Sequence, residues 1–336
     1  MPRRKNLITD VPGVLVGHAT DLKVGSGATA IVFEAPAIAS VDVRGGGTGT
    51  REFDLLDPVA TVERVDAFAL SGGSAFGLET GSGVAAYLAE QGRGFVVRSA
   101  RVPIVPGAIL FDLLNGGDKG WGRYPPYREL GYAAAKAASA EFEIGSVGAG
   151  TGASTENLQG GIGSASAQTK DRAILGAIVA VNTVGRVTIG NSHHFWAAPF
   201  EQENEFGGLG WPAKFPADAH IPHLKGRLPA TNTTLALVAT DVALTKPQAK
   251  RLAVMASAGL ARAIYPVFSP MDGDIVFAAS TGARKLDDAV HGLAELGTIA
   301  ANCLARAVAR AIFEANTLPF ADALPSWRDR FKSAKE

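Results

Sequence analysis

The chain has 336 residues, of which 47% are hydrophobic, and its 32 basic and 32 acidic residues cancel to zero net charge. This length suits one large domain or two ordinary ones with an ample core. The balanced charge argues against nucleic acid as a partner and against a membrane surface bound by bulk electrostatics. It also leaves little charge repulsion to oppose self-association.

Cysteine content and the apolar runs indicate an intracellular globular protein. Cys303 is the single cysteine, so a disulfide within the chain is excluded and a buried packing role is expected. The basic residues 1–6 are not followed by an apolar signal core, and no run reaches the roughly 18 apolar residues of a spanning helix. We therefore expect a cytoplasmic protein without a membrane partner.

Glycine is the compositional outlier, with 40 residues in 336 against a usual share of about 7%. Such clusters indicate tightly packed loops or backbone that approaches a ligand. The first cluster, residues 44–52 (RGGGTGTRE), contains Gly46 and Gly47 and follows two predicted strands, 27–34 and 38–43, that could pair. It fits neither a phosphate loop nor a dinucleotide fingerprint, so it is a tight loop or the backbone wall of a pocket.

A second Gly-Ser cluster links a short strand, residues 65–70, to a helix that ends near residue 91. Ser74 lies in the turn, which invites comparison with a nucleophile elbow. The pattern fails because the residue two positions after Ser74 is Phe76 rather than glycine. A helix N-terminus with free backbone N–H groups, able to border a substrate pocket, describes this turn better.

Residues 174–187 are apolar and β-prone and predict a pair of strands with Asn182 in the middle. A polar amide inside an apolar strand must find hydrogen-bond partners; alternatively, the residue marks a strand end or a bulge. Much later in the chain, the alanine-rich residues 298–315 predict a long helix with one buried side.

Histidines occur in pairs in the least regular region, residues 191–222 and just beyond. His193 and His194 are adjacent, and His220 and His223 flank Pro222. Paired histidines are typical of metal sites, but the proline breaks the helical spacing and no cysteine lies nearby. We therefore predict neither a metal nor a cofactor.

Two loops that run into apolar strands carry the strongest indication of chemistry. Residues 229–241 lead Asn232 and Thr233 from a loop into a β-prone run. A strand end fixes the backbone and leaves the hydroxyl at the edge of the sheet, which suits a nucleophile. Threonine is also common in strands, so a purely structural role for Thr233 stays open.

The second loop, residues 269–274, brings Asp272 and Asp274 to the start of another apolar strand. Between the two loops, residues 246–263 predict a helix. A strand, a crossover helix and a second strand would place Thr233 beside this aspartate pair.

Taken in order, these motifs resemble the DmpA-like L-aminopeptidase/D-esterase family of N-terminal-nucleophile hydrolases. This family includes β-peptidyl aminopeptidases and nylon-oligomer (6-aminohexanoate oligomer) endohydrolases. The resemblance covers nearly the whole chain, from residues 9–14 to the last long helix. The motifs that carry it are residues 44–52, 71–78, 148–154 with 160–166, Asn182 with Gly185, 232–234, 245–246 and 271–274.

The resemblance implies one catalytic domain, residues 1–336, with a layered αββα fold of the DmpA and ornithine-acetyltransferase type. It implies self-cleavage between Asn232 and Thr233 into fragments 1–232 and 233–336. It assigns Thr233 as nucleophile, Asn182 as stabiliser of the reacting carbonyl, and Asp272 and Asp274 as a polar relay. It further implies a homo-oligomer, such as a tetramer of cleaved heterodimers or larger, and a small peptide or amide-oligomer substrate.

The chain departs from the family pattern at one place. Many members carry a lysine after the Gly-Ala-Gly stretch, and the matching position here is Asn157, after Glu156. If that lysine lends charge to the surroundings of the nucleophile, this chain either lacks the charge or recruits another residue.

An N-terminal threonine would combine nucleophile and base in one residue. The hydroxyl of Thr233 could attack the Asn232 carbonyl, giving an ester that water hydrolyses. The freed α-amino group, with a reference pKa of about 7.7–8.0, could then take the hydroxyl proton. An acyl-enzyme formed on Thr233 would be resolved by water or by an amine.

Three functions remain open from the sequence. The first is an amide hydrolase acting on peptides, β-peptides or synthetic amide oligomers. The second is an acyltransferase of related fold, in which an amine resolves the acyl-enzyme. The third is a non-catalytic oligomeric scaffold in which Thr233 is merely structural.

Overall fold

The computed structural model describes residues 4–226 and 232–331. Residues 229–231 of the predicted loop before Thr233 lie outside the described residues. The strands are β1 (Val14–Asp21), β2 (Ser26–Val43), β3 (Thr50–Arg51), β4 (Arg64–Ser71), β5 (Phe95–Val97), β6 (Ala100–Val102), β7 (Gly107–Ile109), β8 (Gly161–Gln168), β9 (Ile174–Asn182), β10 (Thr233–Val242) and β11 (Ile275–Arg284). The α-helices are α1 (Thr80–Glu90), α2 (Tyr127–Lys136), α3 (Lys246–Ala256), α4 (Ala258–Ala263), α5 (His291–Phe313) and α6 (Trp327–Phe331).

Nine of the strands form one hydrogen-bonded sheet in the order β3-β7-β4-β2-β11-β10-β9-β8, with β1 also paired to β2. The strand β2 is 18 residues long and replaces the two pairing strands expected from residues 27–34 and 38–43. Its first half pairs with β1, its second half pairs with β11, and β4 pairs with residues of both halves. A register shift between Val32 and Ala37 separates the halves, so β2 links two parts of the sheet.

Apolar clusters show how these two parts are layered. The inner cluster joins Ile31 and Phe68 from one part of the sheet to Leu237 and Phe277 from the other. A second cluster packs α3, α4 and α5 against β8 to β11, and a third packs α1 and α2 against β2 and β4. Helices therefore cover both outer faces of two stacked sheet layers, which is the αββα arrangement expected from the resemblance.

The strands β10 and β11 run parallel, with Leu235 opposite Ile275. The connection between them is helical, as predicted, but residues 246–263 form two helices that break at Ser257. The hydroxyl of Ser257 donates to the carboxylate of Asp42 at 2.8 Å. Because β10 and β11 run parallel, the start of β10 and the loop before β11 lie at the same edge of the sheet.

The helix α5 begins and ends earlier than the predicted helix over residues 298–315. Among the described residues it is the one helix long and apolar enough to cross a membrane, whereas the apolar runs of the sequence predict no such helix. In the structure, 72% of its most apolar window is buried inside the protein. Burial of this kind is typical of a core helix, and length and composition alone are weak evidence for a membrane span.

The inner cluster predicts a large cost for removing one of its side chains. Replacing Leu237, which is 0% exposed, by alanine should lower the free energy of unfolding by about 2–5 kcal/mol. The matched control is Val59→Ala, because Val59 is 91% exposed and should change stability by no more than about 0.5 kcal/mol. Both variants are compared by urea denaturation in a Thr233→Ala background, which removes the hydroxyl expected to cut the chain, so that a single polypeptide unfolds. Equal midpoints for the two variants would contradict the assigned core.

Candidate active site

Thr233 is the first residue of β10, a strand whose ten residues are all buried. It is 2% exposed, and its partner across the antiparallel pairing with β9 is Asn182. Asn182 is the last residue of β9 rather than the middle of a strand pair, so the strand-end alternative is correct. The structure thus places two of the predicted catalytic residues side by side.

The hydroxyl of Thr233 donates a hydrogen bond to the carbonyl oxygen of Asn232. The backbone N–H of Gly273 donates to the same oxygen at 3.1 Å. An N–H group aimed at a carbonyl is what stabilises the negative charge that develops when that carbonyl is attacked. The carbonyl oxygen of the peptide bond before Thr233 therefore accepts from both the adjacent hydroxyl and a backbone donor.

Both predicted aspartates are fully buried, and each is bound to a different part of the site. The carboxylate of Asp274 accepts from the N–H of Thr234 at 3.2 Å and from the N–H of Phe268 at 2.9 Å. The carboxylate of Asp272 accepts from the N–H of Val184 at 2.9 Å, just beyond Asn182. Asp274 thus fixes the start of β10, while Asp272 fixes the segment that follows β9.

Burial changes the acidity of this pair. Loss of hydration is the main cause, and the charge of the neighbouring Asp272 the second, of a pKa of about 8 for Asp274. Burial also raises the pKa of Asp272, against the hydrogen bonds from Val184 and Gly273 and the charge of Lys225. A carboxyl group that titrates near neutral pH can hold or release a proton during a reaction.

The glycine cluster contacts the aspartate loop through its backbone. The N–H groups of Gly46 and Gly47 donate to the carbonyls of Ser269 and Asp272, at 3.4 and 2.8 Å. A Cβ atom added at Gly46 would lie 2.8 Å from the carbonyl oxygen of Pro270, so the loop can pack this closely only against glycine. The backbones of Gly46 and Gly47 therefore hold the loop that carries the two aspartates in place.

The remaining predicted pocket residues, Ser74, Phe76 and Asn157, contact other parts of the chain. Ser74 donates its N–H to the Leu110 carbonyl at 2.9 Å. Phe76 is 50% exposed and packs edge-on against Trp121, with ring centroids 5.6 Å apart. Asn157 is buried in its own loop, where its side-chain oxygen accepts from the Thr155 hydroxyl at 3.3 Å.

Lys225 is a site residue that the sequence analysis missed. Its ammonium donates to the side-chain oxygen of Asn182 at 2.9 Å and to the carbonyl of Ser154 at 3.0 Å. Part of its side-chain surface stays exposed, but the ammonium group is enclosed, and this burial lowers the pKa of Lys225 to about 8. In the sequence Lys225 is one lysine in an irregular region, and no motif marks it.

A cavity of about 340 Å³ lies next to Asn182. Three of its lining residues, Phe111, Ser154 and Lys225, are hydrogen-bond partners of Asn182. Its opposite wall comes from the segment around residues 318–324. The cavity is therefore built from segments that come before Thr233 in the sequence and from a segment that comes after it.

Asp112 is the buried carboxylate of this cavity. It accepts from the N–H of Gly73 at 2.7 Å and from the hydroxyl of Ser26 at 2.6 Å. Burial raises the pKa of Asp112, against the opposing effects of Ser26 and Lys119. A fixed carboxylate in a cavity suits the cationic end of a small ligand.

The histidine pairs make ring and polar contacts in the structure. Among residues 4–226 and 232–331, no group of three or more His, Cys, Asp or Glu side chains is placed to hold a metal ion. His193 and His194 stack on each other with ring centroids 4.3 Å apart. His223 lies 3.9 Å from the carboxylate of Asp218.

Known proteins resemble this chain over nearly its whole length. The model of peptidase family S58 matches residues 6–324. An uncharacterised aminopeptidase of Mycobacterium bovis is 39% identical over 351 residues, which cover 98% of this chain and 99% of that protein. A 6-aminohexanoate-oligomer endohydrolase of a Kocuria strain is 30% identical over 286 residues, covering 83% of this chain and 76% of that protein. The family predicted from the motifs is thereby confirmed.

A solved structure supports the fold. The L-aminopeptidase D-Ala-esterase/amidase from Ochrobactrum anthropi superposes with a TM-score of 0.71, covering 98% of this chain and 94% of that chain. Its sequence is 20% identical, so this likeness bears on the fold alone, which is described as a variant of the Ntn hydrolase fold. The predicted αββα fold of the N-terminal-nucleophile type is confirmed.

The raised pKa of Asp274 predicts how stability changes with pH. The folded chain binds a proton at Asp274 up to about pH 8, whereas the unfolded chain releases it near pH 3.8. The folded state is therefore favoured below about pH 4, and this contribution is lost as the pH rises to about 8. Chemical denaturation of Thr233→Ala should show this loss, and Thr233→Ala with Asp274→Asn should show less of it. Parallel pH profiles for the two variants would contradict the assignment.

Proposed function

We propose that this chain, which belongs to peptidase family S58 and is a hydrolase of amide bonds, matures by cutting its own backbone between Asn232 and Thr233. The observation that carries the proposal is the hydroxyl of Thr233 bound to the Asn232 carbonyl oxygen, with the N–H of Gly273 on the same atom. A structural threonine in a strand needs neither contact.

The cut follows from this geometry in two steps. The Thr233 oxygen forms a bond to the Asn232 carbonyl carbon, while the Gly273 N–H stabilises the oxyanion. The carbon–nitrogen bond then breaks, the Thr233 nitrogen takes a proton and leaves as an amine, and an ester remains. Water hydrolyses that ester, which releases a carboxylate on Asn232 and restores the hydroxyl of Thr233.

Turnover of substrate would use the same hydroxyl of Thr233. The free amine of Thr233 has a reference pKa of about 7.7–8.0, so it can accept the hydroxyl proton near neutral pH. The hydroxyl attacks the substrate carbonyl, and the amide of Asn182 donates to the resulting oxyanion. Loss of one such donor typically costs about 2.7–4 kcal/mol in the transition state. Water then resolves the acyl-enzyme.

The cavity favours a substrate with a free amino end. Asp112 supplies a fixed carboxylate in a space of about 340 Å³ that borders Asn182. An α- or β-amino acid residue with its ammonium on Asp112 would present its carbonyl to the edge of the sheet where Thr233 lies. The relatives named for aminopeptidase and 6-aminohexanoate-oligomer endohydrolase activity support short peptides, β-peptides and amide oligomers as the substrate class.

Assembly and location remain predictions. We propose a homo-oligomer of cleaved chains, which the zero net charge and the family resemblance favour, and separately a cytoplasmic location. The hairpin of β5 and β6 supports an interface, because Phe95, Val96, Val97 and Val102 are each about half exposed. Light scattering on the purified protein measures the assembly directly.

Purified protein should run as two fragments on a denaturing gel, and mass spectrometry should place the cut between Asn232 and Thr233. Thr233→Ala should give one band and no amidase activity, because the attacking hydroxyl is gone. Thr233→Ser should still be cut, since it keeps the hydroxyl. Thr240→Ala is the matched control at the far end of the same strand and should be cut normally. Uncut wild-type protein with full activity would refute the proposal.

Asp112→Asn should discriminate between substrates with free and blocked amino ends. For an aminoacyl anilide, loss of the carboxylate should raise KM by about tenfold or more, as expected for a hydrogen bond to a charged group. For the N-acetylated anilide, KM should stay unchanged. Equal effects on both substrates would exclude Asp112 as the ammonium site. Adding an amine acceptor in the same assay tests acyl transfer against hydrolysis.

A further inference from the structure

Lys225 connects two elements of the site through its ammonium group. It donates to the side-chain oxygen of Asn182 at the end of β9 and to the backbone carbonyl of Ser154 in the glycine-rich loop. Its own backbone N–H donates to the carbonyl of Val184 at 2.8 Å. Three hydrogen bonds therefore hold this lysine, although it lies in an irregular segment.

The hydrogen bonds of the Asn182 side chain, one of them from Lys225, fix which way its amide faces. The side-chain oxygen of Asn182 accepts from the Lys225 ammonium and from the N–H of Ser154, at 2.9 and 3.0 Å. Both partners are donors, so the atom between them must be the amide oxygen. The NH₂ group is consequently on the other side, where it donates to the carbonyl of Phe111 at 3.1 Å, on the wall of the cavity.

We infer that Lys225 is a positioning residue of the hydrolase: it locks the Asn182 amide with its NH₂ group toward the cavity wall. This inference rests on the proposed function, in which Asn182 donates to the oxyanion. Without the ammonium, the Ser154 N–H and the Phe111 carbonyl would hold the amide less firmly. An amide that rotates presents its oxygen to the developing negative charge for part of the time, and that orientation repels the charge.

The charged neighbours of Lys225 are consistent with this role. Asp272 and Asp112 are the carboxylates that act on its ammonium, and each raises its pKa against the effect of burial. Lys119 in turn lies close enough to Asp112 to interact with it. The charge of the ammonium thus interacts with the carboxylate of the aspartate loop and with the carboxylate of the cavity.

The location of Lys225 in the chain has a consequence for maturation. Lys225 lies before the proposed cut, and therefore on the large fragment, whereas Thr233 becomes the first residue of the small fragment. The bonds to Val184, Ser154 and Asn182 are all to residues of the large fragment, so the cut does not sever them. We therefore expect Lys225 to act in the mature enzyme as well as in the uncut chain.

The test is a double-mutant cycle on kcat for an aminoacyl anilide. Lys225→Met keeps the length of the side chain but removes the charge and the donors, and it should lower kcat of the cleaved enzyme by at least about tenfold. KM should change by less than about threefold, because the ammonium site at Asp112 is intact. Lys225→Arg should recover much of the loss, and the exposed Lys23→Met is the matched control.

The second arm of the cycle tests whether Lys225 acts through Asn182. In an Asn182→Ala background, Lys225→Met should cost little more, because nothing remains to be positioned. Additive losses, or an unchanged kcat for folded Lys225→Met, would overturn the inference. If Lys225→Met does not fold, the same cycle is run with Lys225→Gln. Wild-type protein that remains uncut would instead count against the proposed function, so the two failures are distinguishable.

Discussion

The parallel pairing of β10 and β11 is the constraint on which the site depends. The register that sets Leu235 opposite Ile275 also brings Thr233 level with Gly273, whose N–H reaches the Asn232 carbonyl. A slip of one residue would turn every side chain of β10 to the other face of the sheet and remove the hydroxyl from the site. Burial on both faces of β10 makes such a slip costly, so the core that stabilises the fold also fixes the nucleophile.

The same burial accounts for the chemistry of the polar groups. A buried carboxylate or ammonium must be hydrogen-bonded, and each of Asp272, Asp274 and Lys225 is held by identified partners. Low hydration moves the pKa of Asp274 up and that of Lys225 down, each to about 8. The acid Asp274 and the base Lys225 thus titrate in the same pH range as the freed amine of Thr233.

Local sequence patterns predicted much of the site because they act over short distances. A loop entering an apolar strand identified Thr233 and the aspartate pair, and a helical connection between parallel strands predicted their proximity. Lys225 could not be found in this way, since it reaches Asn182 through tertiary folding of an irregular segment. It supplies beside Asn182 a charge that the resemblance led us to expect at the position of Asn157. A glycine cluster indicates that some backbone approaches it closely, but not which one. The cluster with Gly46 and Gly47 was therefore compatible with a pocket wall, whereas in the structure it packs against the aspartate loop.

The most direct test of the central claim is to trap the acyl-enzyme with an aminoacyl p-nitrophenyl ester, quench it in acid, and locate the acyl group by fragment mass spectrometry. The account predicts an ester on the hydroxyl of Thr233, at the first position of the small fragment. An acyl group on any other residue, or on Thr233 within an uncut chain, would contradict it.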